Sequence, residues 1–169
     1  MRNLMLGLLA LLAIHTATAV AGTDLVPWTG GPTAALNLKD LGGKNVNLAN
    51  YRGKVVVVNF WATWCAPCIA EMPSMQTLRD KLGSTKFDVL AVNYQEGTPR
   101  INDFLKKRPL TLTILRDADG AARTAWGVKV FPTSFVVDAE GRIRYTVQGD
   151  VEWLSPKVES QIRELLPKA

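Results

Sequence analysis

Cys65 and Cys68 are the residues of this chain best suited to chemistry. They are the only two cysteines among 169 residues, and just two residues stand between them. A single pair cannot belong to a larger disulfide framework, and it cannot supply four thiolates to a structural metal. Two sulfurs this close can alternate between a dithiol and a disulfide, so the spacing predicts a redox couple.

The pair lies where a predicted strand passes into a predicted helix. The run Val55–Val58 is β-branched throughout, which predicts a strand over 54–60 that is buried on both faces. A helix is predicted from Ile69 onward, because apolar side chains recur at helical spacing. Cys65 should therefore lie at a helix N-terminus, where free N–H groups and the helix dipole favour a thiolate. We predict that Cys65 is the attacking sulfur and that Cys68, one turn further and more buried, resolves the mixed disulfide.

Two other residues are candidates for a catalytic role, and each also has a purely structural interpretation. Glu71 follows Cys68 by three residues, so their side chains are helical neighbours, and a carboxylate there could act as the base of the buried thiol. The same spacing equally fits an exposed helix acid. Pro132 precedes a predicted strand, and its residue type alone favours an ordinary trans proline. A permanent local disulfide is the alternative for the cysteines, but it would close too short a loop to stabilise the fold much.

The first 21 residues have the composition of an export signal. Arg2 is followed by an apolar run over 4–14 and by small residues that suit cleavage, with an uncleaved membrane anchor as the alternative. Cleavage would remove His15, the only histidine, which excludes Ser–His and Cys–His catalysis in the mature chain. Residues 22–34, rich in Gly, Pro and Thr, are predicted to be a flexible lead to one domain over 35–169.

Composition is that of a globular chain, with 47% hydrophobic and 21% charged residues. The formal net charge is +5, but the basic residues are scattered. Their densest cluster, Lys106-Lys107-Arg108, is typical of a solvated helix face, and we expect no nucleic-acid binding. Strand and helix patterns alternate along the chain and end in an antiparallel strand pair, which indicates an α/β fold.

Several stretches in the same order resemble the TlpA/ResA group of exported thioredoxin-like proteins, over about 36–166. The most specific is Phe60-Trp61-Ala62-Thr63-Trp64-Cys65-Ala66-Pro67-Cys68. The others are Asp40-Leu41-Gly42-Gly43-Lys44, Gly53-Lys54-Val55, Glu71-Met72-Pro73, 89–93, Gly127-Val128, Pro132-Thr133-Ser134-Phe135, Gly149 and Trp153.

The resemblance implies a thioredoxin fold, a central mixed sheet flanked by helices, with an N-terminal β-hairpin and a central insertion. It implies that Cys65, Cys68, Glu71 and Pro132 are catalytic, with Pro132 in a cis peptide bond beside the cysteines. Substrate contacts would come from residues around that site: Trp64, Ala66, Pro67, Phe131 and Thr133. The chain departs from classical thioredoxins at Asn59, where those proteins carry a buried aspartate, so a proton-transfer role would fall on Glu71 or water.

The expected activity is exported thiol–disulfide oxidation or reduction without cofactor or metal. The resemblance favours a periplasmic reductant of apocytochrome c or copper-site cysteines, supplied with electrons by a membrane protein and acting as a monomer. One alternative is a general disulfide oxidant or isomerase. An alternative of another class is a copper carrier, since Cu(I) accepts two thiolates; no histidine or methionine adjoins the pair in sequence.

Overall fold

The computed structural model describes residues 24–168. The predicted signal segment, with Arg2 and His15, therefore lies outside the described residues, as does the terminal Ala169. Among the helices of residues 24–168, none combines the length and apolar character that crossing a bilayer requires.

The described residues form one mixed sheet with helices on its faces, which confirms the predicted thioredoxin fold. The strands are β1 (Val26–Pro27), β2 (Asn37–Asp40), β3 (Asn45–Asn47), β4 (Val55–Trp61), β5 (Phe87–Tyr94), β6 (Thr113–Asp117), β7 (Thr133–Val137) and β8 (Ile143–Gln148). The helices are α1 (Ala66–Leu82), α2 (Thr98–Lys107), α3 (Ala121–Ala125) and α4 (Pro156–Arg163), with a 3₁₀ turn at Leu48–Tyr51. Across the sheet the order is β1-β8-β7-β4-β5-β6-β2-β3.

Strand β4 is the axis of the fold, as its β-branched sequence predicts. It pairs with β5 in parallel and with β7 in antiparallel orientation, and all seven of its residues are buried. Because side chains alternate along a strand, Val57 and Trp61 join the core under α1, whereas Val58 and Phe60 join the core on the opposite face. The carboxyl end of this doubly covered strand is thus held firmly where the cysteine motif begins.

The lead segment, predicted to be flexible, contacts the folded domain. From residue 24 it lies against the sheet, where β1 pairs with β8 and Leu25 is buried. Trp28 packs edge-on against Phe135, and the Thr33 hydroxyl accepts a hydrogen bond from the Ile143 amide. The Gly and Pro content of the segment predicts a flexible backbone. That prediction does not take into account the few apolar side chains, which bury surface against the sheet.

One strand begins later than the sequence pattern predicts. Leucine and isoleucine alternate with threonine over most of residues 110–115, which predicts a strand there, whereas β6 begins at Thr113 and ends at Asp117. The Thr111 amide instead donates to the side-chain oxygen of Gln76 on α1 at 2.7 Å. This contact ties the segment before β6 to the helix that follows the cysteines.

Candidate active site

The two cysteines form a disulfide at the first turn of α1. Their Cα atoms are 5.3 Å apart, and Cys65 is the N-cap residue of the helix. Cys65 is 5% exposed and Cys68 is fully buried. The two residues therefore differ slightly in exposure: Cys65 keeps a little contact with solvent, and Cys68 keeps none.

The helix N-terminus offers its backbone to the sulfur of Cys65. The Cys68 amide donates to Cys65 Sγ at 3.3 Å. Pro67 stands in the first turn, where its missing N–H costs no hydrogen bond, and that turn contains no acidic residue. Amide donors and the positive end of the helix dipole both favour negative charge on Cys65 once the disulfide is opened.

Aromatic side chains flank the cysteines on the side of β7. The Phe131–Pro132 peptide bond is cis, as the family resemblance implies. Phe131 contacts Trp64 edge-on at 5.8 Å between ring centroids and Tyr94 at 5.2 Å. Trp64 is 59% exposed, so this aromatic row presents apolar surface to solvent beside the motif.

The predicted substrate contacts divide into exposed and buried residues. Ala66 and Pro67 are exposed on the helix start, and Phe131 is half-buried. Thr133 is buried, and its hydroxyl donates to the Val130 carbonyl at 2.8 Å. The Thr133 hydroxyl is therefore already hydrogen-bonded within the protein, as a buried hydroxyl needs to be.

Glu71 is a buried carboxylate rather than an exposed helix acid. It is 4% exposed, one helical turn after Cys68. Its Oε2 accepts hydrogen bonds from the Val151 amide and the Trp153 indole, each at 3.2 Å, and Oε1 accepts one from Asn59 at 2.8 Å. Burial raises the pKa of Glu71 from 4.5 to about 7 against these hydrogen bonds, which lower it. A group with that pKa exchanges a proton readily at neutral pH.

The hydrogen bond from Asn59 favours the ionised form of Glu71, because it lowers the pKa that burial raises. The Asn59 amide nitrogen donates both to Glu71 and to the Ser134 hydroxyl, at 2.8 and 2.9 Å. Within residues 24–168, Asn59 Oδ1 is buried without a hydrogen-bond partner. Because an amide does not titrate near neutral pH, of these two side chains only Glu71 can take up or release a proton.

A second buried carboxylate, Glu96, holds the segment that leads into Cys65. Glu96 Oε2 accepts from the Thr63 amide at 2.7 Å, and Oε1 accepts from the Thr63 hydroxyl at 2.6 Å. Asn93 and Arg100 donate to the same carboxylate at 2.8 and 2.6 Å. Burial alone raises the pKa of Glu96, but the hydrogen bonds from Thr63, Asn93 and Arg100 outweigh it and the pKa lies below its ordinary value.

Sequence reasoning missed Glu96. The only signal in the sequence is its i,i+4 spacing to Arg100, which predicts a weak surface ion pair. Its role becomes visible once the loop after β5 is seen against Thr63, which lies 33 positions earlier in the chain.

Replacing Glu96 should loosen the segment before Cys65. In Glu96→Gln the new NH₂ group cannot accept the hydrogen bonds that the lost oxygen accepted, which we expect to lower the unfolding free energy by about 1–3 kcal/mol. Denaturant unfolding measures this loss, and amide exchange at Thr63 should accelerate at the same time. The exposed Glu140→Gln is the control and should change stability by less than about 0.5 kcal/mol. Unchanged exchange at Thr63 would show that Glu96 does not restrain it.

Within residues 24–168, no group of three or more His, Cys, Asp or Glu side chains is placed to hold a metal ion. The chemistry that the described arrangement supports is thiol–disulfide exchange. It combines a near-surface sulfur at a helix N-terminus, a buried partner sulfur and a buried acid that titrates near neutrality.

Comparison with known proteins gives consistent matches. Residues 24–162 match the family model described as Redoxin. A thiol-disulfide oxidoreductase ResA of Geobacillus thermodenitrificans is 35% identical over 150 residues, which cover 88% of this chain and 86% of the relative. A protein of the same name from Bacillus thuringiensis is 32% identical, covering 76% and 73%.

Solved structures agree with these matches. A crystal structure described as a candidate thiol:disulfide interchange protein DsbE of Chlorobium tepidum superposes with a TM-score of 0.74 at 31% identity. The superposition covers 84% of this chain and 99% of that structure.

Proposed function

Because the chain belongs to the Redoxin family and is a thiol–disulfide oxidoreductase, we propose that it acts as a reductant of selected disulfides in exported proteins. The family resemblance supports this direction, and the observation that supports the exchange step itself is the position of Glu71. A buried acid with a pKa of about 7, one turn from Cys68, can take the Cys68 proton while the Cys65–Cys68 disulfide forms. That closure is the step in which a client is reduced.

The proposed reaction transfers two electrons from the protein dithiol to the client disulfide. The Cys65 thiolate attacks one client sulfur, a mixed disulfide forms, and the first client thiolate leaves. Glu71 accepts the proton of Cys68, whose thiolate then attacks Cys65 Sγ. The Cys65–Cys68 bond forms and the second client thiolate leaves; protons from Glu71 and solvent return to the client sulfurs.

The proposed clients are disulfides in extended segments. The cysteines of apocytochrome c haem-attachment motifs and of copper sites fit this description, and the family resemblance supports them. We propose that such a segment pairs with the backbone of Phe131 beside the cis proline, as in strand addition, and lies against Trp64. An upstream membrane protein would return the pair to the dithiol, and the signal segment would place the protein in the periplasm.

The equilibrium reduction potential tests the direction of the reaction. We expect a value near the roughly −270 mV of reducing thioredoxins and far from the roughly −120 mV of strong oxidants. Glutathione redox titration followed by intrinsic fluorescence would measure it, since five tryptophans are available as reporters. A value close to that of the strong oxidants would contradict the reductant assignment and favour disulfide formation as the activity.

A further inference from the structure

A groove between α1 and α2 borders the cysteine motif. It consists of two adjoining cavities of about 510 and 460 Å³ that share Phe104 and Arg108. The first is lined also by Thr63, two residues before Cys65, and the second by Ile69, which directly follows Cys68. We call these two cavities together the α1–α2 groove.

The first cavity carries more positive than negative charge, because its lining holds one carboxylate, that of Asp103, and three cationic side chains, those of Arg100, Lys107 and Arg108. Arg100 is paired with Glu96, and Lys106 with Asp103. Lys107 and Arg108 are exposed and have no acidic partner among residues 24–168. The Arg108 guanidinium lies over the Phe104 ring at 5.6 Å, which restrains its position at the junction of the two cavities.

The second cavity is lined mainly by apolar side chains, together with Gln76, Thr77 and Arg108. Its lining includes Ile69, Met72, Pro73 and Leu110. The hydrogen bond from the Thr111 amide to Gln76 fixes one wall to the other. A side chain seated there would be removed from water within one helical turn of Cys68.

We propose that the α1–α2 groove binds a client segment in which a carboxylate side chain is followed by an apolar one. The carboxylate would face Lys107 and Arg108, and the apolar side chain would enter the cavity beside Ile69 and Met72. This inference rests on the proposed function, because the groove is useful only if a protein disulfide is presented to Cys65. It assigns Lys107 and Arg108 a role in choosing clients.

The preference for an acidic client should be modest and should depend on salt concentration. Exposed ion pairs contribute little individually, but charges beside a reaction site also raise the rate of encounter. We expect an acidic client to be reduced about 3–10 times faster than its neutral match at low ionic strength. The advantage should shrink at about 0.5 M salt, where the Debye length falls to only a few Å.

The experiment compares two synthetic disulfide peptides that differ at one flanking position, Asp-Leu in one and Asn-Leu in the other. Stopped-flow fluorescence gives the rate at which the reduced protein opens each disulfide. We expect the Asp:Asn rate ratio to fall to about one in the Lys107→Gln/Arg108→Gln variant. The matched control, Lys39→Gln/Lys44→Gln, removes the same charge from the β2–β3 hairpin and should keep the ratio.

The outcomes separate this inference from the proposed function. Equal rates for both peptides, a ratio that survives Lys107→Gln/Arg108→Gln, or a ratio lost equally in the control would overturn the groove assignment. Failure to reduce either peptide would count against the proposed function instead. In that case the groove is tested by NMR titration of the protein with an Asp-Leu peptide in which serines replace the cysteines. Chemical-shift changes at Phe104 and Arg108 would support the groove assignment, and the absence of such changes would reject it.

A membrane surface is the competing source of negative charge. Cosedimentation with phosphatidylglycerol vesicles tests it against phosphatidylcholine vesicles. Binding to the anionic vesicles that depends on Lys107 and Arg108, without an Asp:Asn preference, would assign the cluster to lipid and overturn the client proposal.

Discussion

Cys68→Ser protein isolated from cells should carry client proteins bound covalently through Cys65. Removing the buried sulfur leaves the first exchange intact, because Cys65 keeps its place at the start of α1, but no internal thiolate remains to release the client. Non-reducing gels should show adducts that dithiothreitol removes, and mass spectrometry would identify the partner and the linked cysteine. Cys65→Ser should form no adducts and retain less than about 1% of the reductase activity, because a hydroxyl is a poor nucleophile.

Cys68→Ala is the companion variant, since it avoids placing a hydroxyl in the buried site of Cys68. It should give the same adducts as Cys68→Ser. Alkylation of the reduced wild-type protein provides an independent measurement, with Cys65 expected to react much faster than Cys68. Equal adducts through either sulfur, or equally slow alkylation of both, would reverse or remove the assigned roles.

Glu71→Gln should abolish a pH dependence centred near 7. In the proposed reaction, ionised Glu71 takes the Cys68 proton, so the rate of mixed-disulfide resolution should rise with pH and reach half its maximum near 7. The variant should lose this inflection and resolve about a hundredfold more slowly at pH 8, within the usual range for a positioned base. Single-turnover release of a fluorescent client thiol measures the step directly.

Glu71→Gln should slow the reaction but raise the stability of the folded protein above about pH 5. Burial raises the pKa of folded Glu71 from 4.5 to about 7, so the folded chain holds this proton where the unfolded chain has released it. Stability contributed by the protonated form is therefore complete below pH 4.5 and declines as pH rises to 7. Ionising buried Glu71 costs about 3 kcal/mol at higher pH, at about 1.4 kcal/mol per pKa unit.

Glu71→Gln removes this cost, because its amide does not ionise. Denaturant unfolding of the oxidised protein should show the variant gaining up to about 3 kcal/mol over wild type between pH 4 and 8. The exposed Glu152→Gln is the control and should show no such trend. A wild-type and variant difference that stays constant with pH would place the pKa of Glu71 at its ordinary value and remove its role as base.

Much of the fold follows from local patterns. The run Val55–Val58 predicts the buried central strand, and the hairpin of β2 and β3 lies where alternating residues flank a glycine-containing turn. The antiparallel pair β7–β8 also lies where the pattern places it. These features are readable because side-chain alternation along a strand and glycine at a turn depend on neighbours in sequence.

The contacts of the lead segment and of Glu96 could not be predicted from local sequence patterns. Residues 24–34 contain few apolar side chains, and only the folded sheet, chiefly β8 and Phe135 of β7, gives them a surface to cover. Glu96 lies in a loop after β5, and its partner Thr63 lies after β4. The parallel pairing of these two strands brings their carboxyl ends together, and this pairing is a tertiary event.

By itself, the sequence determined the chemistry: two cysteines two residues apart, at a strand-to-helix junction, predict a redox couple. Only the tertiary structure decided how that couple is controlled. Glu71 draws its hydrogen bonds from Asn59, Val151 and Trp153, up to 82 positions away, and the burial that raises its pKa exists only after these segments meet. Residue type and spacing set which bonds can form, whereas desolvation and proton affinity depend on what the folded chain places around them.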